Sequence, residues 1–434
     1  MPPRRRLPWL AVLDLPRDVL ASMAITVAVA FGNGSIASVL APISRDFNLE
    51  ETAGTALAAL IASFALARLI INLPIGALVD RVRLHPLFYG GGALAIVGVI
   101  VTVSAPFYWL LLIGRIVEGA GSITASAAAQ AYVARQAPER ERGRMLGAVS
   151  SATMMGGFLS PVVVGAVATV AHWRIGMLLT VLAILTGMFM VKRYVKDEPP
   201  PVRAFESTAA PRENPIRFVR RAIYSPGRLL LVNGMAMALA VPIFGFKAFF
   251  YPLFGGEVLD LQPFLIGIAI SLSTLMRFPV AIVAGAMSDR YGRLWVYVPS
   301  ALAMGLVSVL VSQAGNAATY VLFGLAFGLG GGAIPTITST VVDRAPRERL
   351  GAALGTHAFL RDIGVALTPL GLGVAVDVLD FTSTAFTMLA FAALSALLAI
   401  AAGESAPARR RRADAAGTLK PAPRHGSSEQ RRPG

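Results

Sequence analysis

The chain consists of long apolar runs broken by short polar turns. Residues 265–284, LIGIAISLSTLMRFPVAIVA, hold a single charged side chain, Arg277. A helix rises about 1.5 Å per residue, so roughly 20 such residues cross the ~30 Å hydrocarbon core of a bilayer. Hydrocarbon offers the backbone no hydrogen-bond partner, which leaves helices and closed barrels as the only spanning structures. Runs of this length are helical. The composition agrees: 55% of the 434 residues are hydrophobic and only 15% charged, against about 25% charged in soluble domains.

Reading between charged and Pro/Gly breaks gives about twelve spans. The first six run from about Leu20 to about Val191. Six more begin near Leu229, Pro263, Trp295, Tyr320, Gly351 and Thr384. The basic stretch between the two sets is too polar to span and too rich in Pro to form one helix. The organisation expected is an N-terminus over 1–18, a six-helix half over 19–193, a middle loop over 194–227, a second half over 228–402 and a basic tail over 403–434. The tail carries the run Arg409–Arg412 and little that could enter a core, so it is expected to be disordered.

The charges orient the chain. Of the 39 Lys and Arg residues, 32 fall in the N-terminus, the even-numbered loops and the tail. Arg45 and Arg174 fall in odd-numbered loops, and Arg68, Arg115, Lys247, Arg277 and Arg361 fall inside spans. Basic loops stay cytoplasmic, so both termini and the middle loop are expected inside an inner or plasma membrane. The net charge of +15 then reflects topology and calls for no nucleic acid. The basic tail can gain modest attraction to anionic headgroups. The start, MPPRRRLPWLAVLDLPRD, has no short apolar core with a small-residue cleavage site, and no cleaved leader is expected. With no Cys, disulfides, thiol chemistry and Cys-based metal sites are excluded. No His pair has metal-ligand spacing. No Gly-Lys phosphate loop and no Ser/His/Asp arrangement stands out, so no cofactor and no enzymatic activity are expected, and energy must come from a gradient.

The two halves repeat. An offset of 209 residues carries Gly76, Asp80 and Arg81 onto Gly285, Asp289 and Arg290. An offset of 208 carries APERERGRMLG at 137–147 onto APRERLGAALG at 345–355, and persists through Gly156 and Gly364, Pro161 and Pro369, and Gly165 and Gly373. Six spans is an even number, so the halves are parallel repeats, a known transporter plan.

Here the sequence resembles the major facilitator superfamily. Gly285, Asp289, Arg290, Gly292 and Arg293 match its GxxxDRxGR loop between the second and third spans of a half. In the first half Gly76, Asp80 and Arg81 match, with Arg83 where Gly is expected. GRIVEGAG at 114–121 is similar to the fourth-helix motif, with Arg115 as its membrane arginine and Glu118 at a position usually Gln. GGFLSPVVVG at 156–165 is similar to the fifth-helix motif of the proton-driven drug-export branch, with Ser160 and Val164 replacing glycines. The resemblance covers roughly residues 19–402 and implies an all-α membrane protein with about twelve transmembrane helices around a central cavity. It implies a monomeric, proton-coupled antiporter for efflux of drug-like or metabolite compounds by alternating access. It also implies that the loop residues of both halves latch one conformational state. The other reading of DRxxR is a charge anchor at the membrane boundary.

Arg68 and Arg277 each lie twelve residues before their DR motifs, about 18 Å along the helix and close to the midplane. A cation there costs roughly 2.5 to 3.5 kcal/mol on insertion scales, so it usually faces a cavity or a partner. Either the pair, with Asn72 one turn beyond Arg68 and with Arg115, binds an anionic group of a solute, or each Arg is satisfied by carbonyls or an acid. The first option is a distinct alternative function, transport of an organic or inorganic anion in either direction. A transport-dead sensor is a third reading, although no extra folded domain supports it. Glu118, three residues from Arg115, and Asp362 are the candidate proton carriers. Adjacent residues point about 100° apart, so Arg361 and Asp362 need not pair. Lys247 is expected nearer the outer end of the seventh span, with its amine snorkelling outward. Gly156, Pro161, Gly165, Gly364, Pro369 and Gly373 are expected to bend or pack helices. The topology is tested with fusions at either terminus: a fluorescent protein should fold and glow there, and alkaline phosphatase should stay inactive.

Overall fold

The computed structural model describes residues 15–79, 81–138, 141–197, 228–345 and 350–404. Asp80, most of the middle loop and nearly all of the tail lie outside them. Twelve helices among the described residues are long and apolar enough to cross a membrane. We label them α1 (Arg17–Asp46), α2 (Ala53–Gly76), α3 (Leu84–Ser104), α4 (Tyr108–Gln136), α5 (Arg142–Val170) and α6 (Trp173–Tyr194). The second half has α7 (Leu229–Val258), α8 (Pro263–Tyr291), α9 (Arg293–Val311), α10 (Ala317–Arg344), α11 (Ala353–Val378) and α12 (Phe381–Ala402). With an even number of spans, both ends of the described chain lie at the same end of the bundle.

The repeat is structural as well as textual. In the first half Gly119 of α4 packs on Phe64 and Ala67 of α2. In the second half Gly328 of α10 packs on Ser273 and Met276 of α8, each residue 209 positions further on. Gly121 and Gly330 repeat the relation against α3 and α9. Small residues let helix backbones approach where lipid supplies no hydrophobic drive.

Four helices join the halves in two symmetry-related pairs, α2 with α11 and α5 with α8. Away from the termini the pairs touch backbone to backbone. A Cβ on Gly373 would lie 2.5 Å from the Gly54 carbonyl and 2.5 Å from Ala58 Cβ. Gly165 meets the Pro263 carbonyl in the same way, and Gly267 meets that of Pro161. Toward the termini, a Cβ on Gly76, Gly147, Gly285 or Gly355 of these same helices would meet no described atom within 4 Å. The contacts between the halves described here thus lie toward one end, and these glycines toward the other face open space.

α1 and α10 each tighten through one 3-10 turn, at Ala37–Val39 and Gly330–Gly332, and α7 departs further from regular helix. Val241–Phe250 and Phe254–Val258 of α7 are π-helical. Pro242 sits in the first stretch and Pro252 in the α-helical turn between the two; both lack a backbone N–H, and π-bulges often mark functional positions.

Filling the Gly373 contact should unseal the closed end. Ala58 is fully buried, so an Ala58→Cys variant of this cysteine-free chain should react slowly with a maleimide in detergent. Adding Gly373→Leu should speed labelling severalfold; equal rates would show that the glycine contact does not hold the seal.

Candidate functional site

At the sealed end, side chains of one half cap helix starts of the other. Asp377 at the end of α11 accepts from Gly54 N at 2.8 Å and Thr55 N at 2.7 Å, the first backbone amides of α2. Thr169, near the end of α5, accepts from Phe264 N of α8 at 3.0 Å. Thr169 and Phe264 precede and follow Asp377 and Thr55 by offsets of 208 and 209, so the two caps are repeat equivalents. First-turn amides have no helical partner, and a carboxylate there also meets the positive end of the helix dipole. Arg45 adds an ion pair to Asp260 at 2.6 Å; with side chains 56% and 83% exposed, it contributes about 0 to 1 kcal/mol. Deeper in, Ser271 donates to the Phe158 carbonyl at 2.6 Å. None of these caps was read from the sequence, because the partners lie more than 90 residues apart.

Midway across, the charged side chains fall into two groups. Arg68 donates to Ser122 Oγ at 3.1 Å and lies in electrostatic reach of Asp362 in the opposite half. Asp362 also receives two bonds from Arg361, at 3.1 and 2.8 Å. The long guanidinium folds back across the 100° between adjacent positions and makes the pair that the sequence left open. Asn72 is exposed and shares no hydrogen bond with Arg68 among the described residues. Lys247 sits in the π-helical part of α7, half-buried and in electrostatic reach of Arg277 on α8. It lies nearer the outer end of α7, as the sequence reading had it.

The second group is enclosed in the first half. Arg115 and Glu118 are each 1% exposed and pair at 2.6 Å. Arg115 also donates to the Gly32 carbonyl at 3.4 Å and lies 4.5 Å from the centroid of the Phe64 ring. Expected among the solute-binding residues, Arg115 is instead walled off by α1, α2 and α4 in this state. Glu118 Oε1, Arg115 Nε and Thr180 Oγ1 are buried with no hydrogen-bond partner. Gly32 leaves them their space, since a Cβ there would fall 2.5 Å from Glu118 Oε1 and 2.9 Å from Thr180 Cγ2.

The signature loops sit at the parted end. Arg293, 7% exposed, donates from Nη1 to Ser288 Oγ at 3.1 Å and Asp289 Oδ1 at 2.9 Å, and from Nε to Asp343 Oδ2 at 3.1 Å. The carboxylate of Glu404, just beyond α12, accepts from the amides of Arg293 and Leu294 at 2.9 and 3.2 Å. The cluster thus joins α8, α9, α10 and the end of α12. Gly292 holds φ at +107°, a conformation suited to Gly. Its counterpart Arg83 stands at φ −61°, so the first-half turn takes another path that needs no Gly. There Arg83 and His85 reach Asp197 beyond α6 at 3.0 and 3.1 Å. Gly76, Arg81 and Arg290 are exposed, Gly285 half-exposed. Asp80 lies outside the described residues.

The packing residues behave consistently. Gly156 packs on Val27 and Ala30 of α1, and Gly364 on Met237 and Ala240 of α7. Pro161 and Pro369 lie inside unbroken helices.

The family model described as Major Facilitator Superfamily matches residues 23–369 and 244–432. The chain is 26% identical over 344 residues to the tetracycline resistance protein, class C, of Escherichia coli, covering 77% of this chain and 84% of that protein. It is 30% identical over 146 residues to the multidrug resistance protein MdtG of Escherichia fergusonii, 34% of this chain and 35% of that protein. This second match spans about a third of its relative. Among solved structures, a D-xylose-proton symporter superposes with a TM-score of 0.72 at 15% identity, over 88% of this chain and 96% of that one. A POT family transporter in complex with 5-aminolevulinic acid gives 0.69 at 13%, over 88% and 95%. At such identities the structures speak to the fold alone.

The two carboxylates on Arg293 should separate on mutation. Asp289 is 56% exposed and Asp343 8%. Breaking a buried pair costs about 3 to 5 kcal/mol and an exposed one about 0 to 1. Asp343→Asn should lower the melting temperature of the purified protein, whereas Asp289→Asn should keep stability and slow transport at equal abundance. Wild-type turnover for Asp289→Asn would remove the latch role.

Proposed function

We propose that this chain, which belongs to the Major Facilitator Superfamily, exports small drug-like or metabolite compounds in exchange for protons. The observation that carries the reading is the one-sided closure. The same four helices are in backbone contact toward one end, and their glycines toward the other face open space. Such a bundle presents a central solute path to one side at a time. If the termini are cytoplasmic, as the basic loops suggest, this state is open inward and ready to load from the cell. Resistance proteins among the relatives support export.

Two carboxyls suit proton coupling, for different reasons. Glu118 has one oxygen bound to Arg115 and one with no partner. A proton on the free oxygen would supply a donor where an acceptor alone now sits beside Thr180. Asp362 ties Arg361 to its own helix and acts across the cavity on Arg68. Protonation would release both cations and loosen the halves from each other. The signature loops close the cytoplasmic end in the alternate state, and Asp289 and Arg293 latch it.

Everted vesicles with an acid interior test the reading, with tetracycline as first probe in a panel of drug-like compounds. Wild type should concentrate a substrate inside. Glu118→Gln and Asp362→Asn should keep substrate exchange and lose accumulation. If both variants still concentrate the compound, proton coupling through these carboxyls is wrong.

A further inference from the structure

Resting on the alternating-access reading, we infer that Lys247 and Arg277 together form the binding site for an oxyanion group on the transported solute, most simply the carboxylate of a small organic acid.

The argument comes from where the two halves differ. Arg68 and Arg277 are repeat equivalents, 209 residues apart. Arg68 has partners: the hydroxyl of Ser122 at 3.1 Å and, across the cavity, Asp362. The same offset carries Ser122 onto Gly331, and the structure agrees. Gly331 packs on the Arg277 stem, where a Cβ would fall 2.9 Å from Cγ. It presents no hydroxyl. The offset also carries the acid Glu118 onto Phe327, which stacks on Phe246 at 3.9 Å between centroids. The second half has therefore lost the hydroxyl that binds this arginine in the first, and with Gly324 and Phe327 it has lost the enclosed Arg115–Glu118 pair as well. It has gained a cation, Lys247, on the same side of α10: Phe246, the residue before it, stacks on Phe327, one turn from the Gly331 that packs on Arg277. The corresponding span α1 holds no charge between Asp18 and Arg45.

Among the described residues, neither Lys247 nor Arg277 has a hydrogen-bond or ion-pair partner. Both side chains are half-buried, and their nitrogens are not among the buried polar atoms without a partner, so they remain accessible. Two uncompensated cations near the midplane call for a counter-charge that comes and goes. A guanidinium fork beside a compact ammonium suits a carboxylate, with one planar bidentate contact and one point charge. The two arginines thus have separate duties. Arg68 is held by Ser122 within its own half, and Arg277 with Lys247 holds the solute.

The test uses purified full-length protein in detergent with three probes: benzoate, its neutral isostere benzamide, and inorganic phosphate. Binding is read by calorimetry and by thermal shift. Benzoate should bind and raise the melting temperature, and benzamide should not. Lys247→Met and Arg277→Gln should each weaken benzoate about tenfold or more, in line with the strength of a charge-assisted hydrogen bond. Arg68→Gln should weaken it less. A second readout needs no ligand. Lys247→Met removes an unpaired cation, so the apo protein should melt at the same or a higher temperature. A lower temperature would reveal a structural ion pair and overturn the inference. So would equal binding of benzoate and benzamide, unchanged benzoate affinity in both variants, or no binding of benzoate. Phosphate binding more tightly than benzoate would overturn the organic-acid assignment in favour of an inorganic anion. Proton-driven efflux of a neutral compound, retained when benzoate fails to bind, would sink this inference and leave the transporter reading standing.

Discussion

A helix begins with amides that have no partner within it, and this fold meets that need at its seal by reaching across the halves. Asp377 takes the first amides of α2, and Thr169, its repeat equivalent, takes that of Phe264 in α8. Closing this end therefore completes two helices, and opening it leaves their starts bare. The glycine contacts below each cap bring the partners close enough for the bonds to form. Cap and contact depend on each other, because a side chain at Gly373 or Gly267 would hold the capping residue away from its amides.

The repeat places everything else. Gly119 and Gly328, Gly156 and Gly364, and Gly165 and Gly373 each keep their neighbours through offsets of 208 to 210 residues. Against that constancy the departures gain meaning. The first half encloses an ion pair, Arg115 with Glu118. The second has Gly324 and Phe327 at those places and a further cation in α7. The first half turns at Arg83 with negative φ and the second at Gly292 with positive φ. A scaffold duplicated in space has been divided in chemistry, with a neutral, enclosed polar site in one half and a cationic, open wall in the other.

Much of this was legible in the sequence, since the signals are local. Apolar run length fixes the spans, and the fixed offset exposes the repeat. The Arg115–Glu118 contact follows from three-residue spacing, since i and i+3 share a helix face. The packing glycines were legible from repeat position. What stayed hidden depends on contacts distant in sequence or on irregular backbone. The cap from Asp377 to Gly54 joins residues 323 apart. The π-helical stretch of α7 shifts the face on which Lys247 emerges, and regular periodicity does not foresee it. Arg361 folding back onto Asp362 is a rotamer choice, and helix geometry alone left that pairing open.

The seal is made of small terms, and alternating access needs it to be. A cap is worth about 0.5 to 2 kcal/mol, and the exposed Arg45–Asp260 pair about 0 to 1. Two caps and one such pair come to a few kcal/mol. That is the range in which a minor conformer remains populated at roughly 0.1 to 10%. At the opposite end, the buried Arg293–Asp343 contact preserves the internal shape of one half, joining α9 to α10. The strong polar contacts thus lie within halves and the weak ones between them. Under that division each half moves as a body, and a solute or a proton with a modest preference for one state is enough to tip the balance.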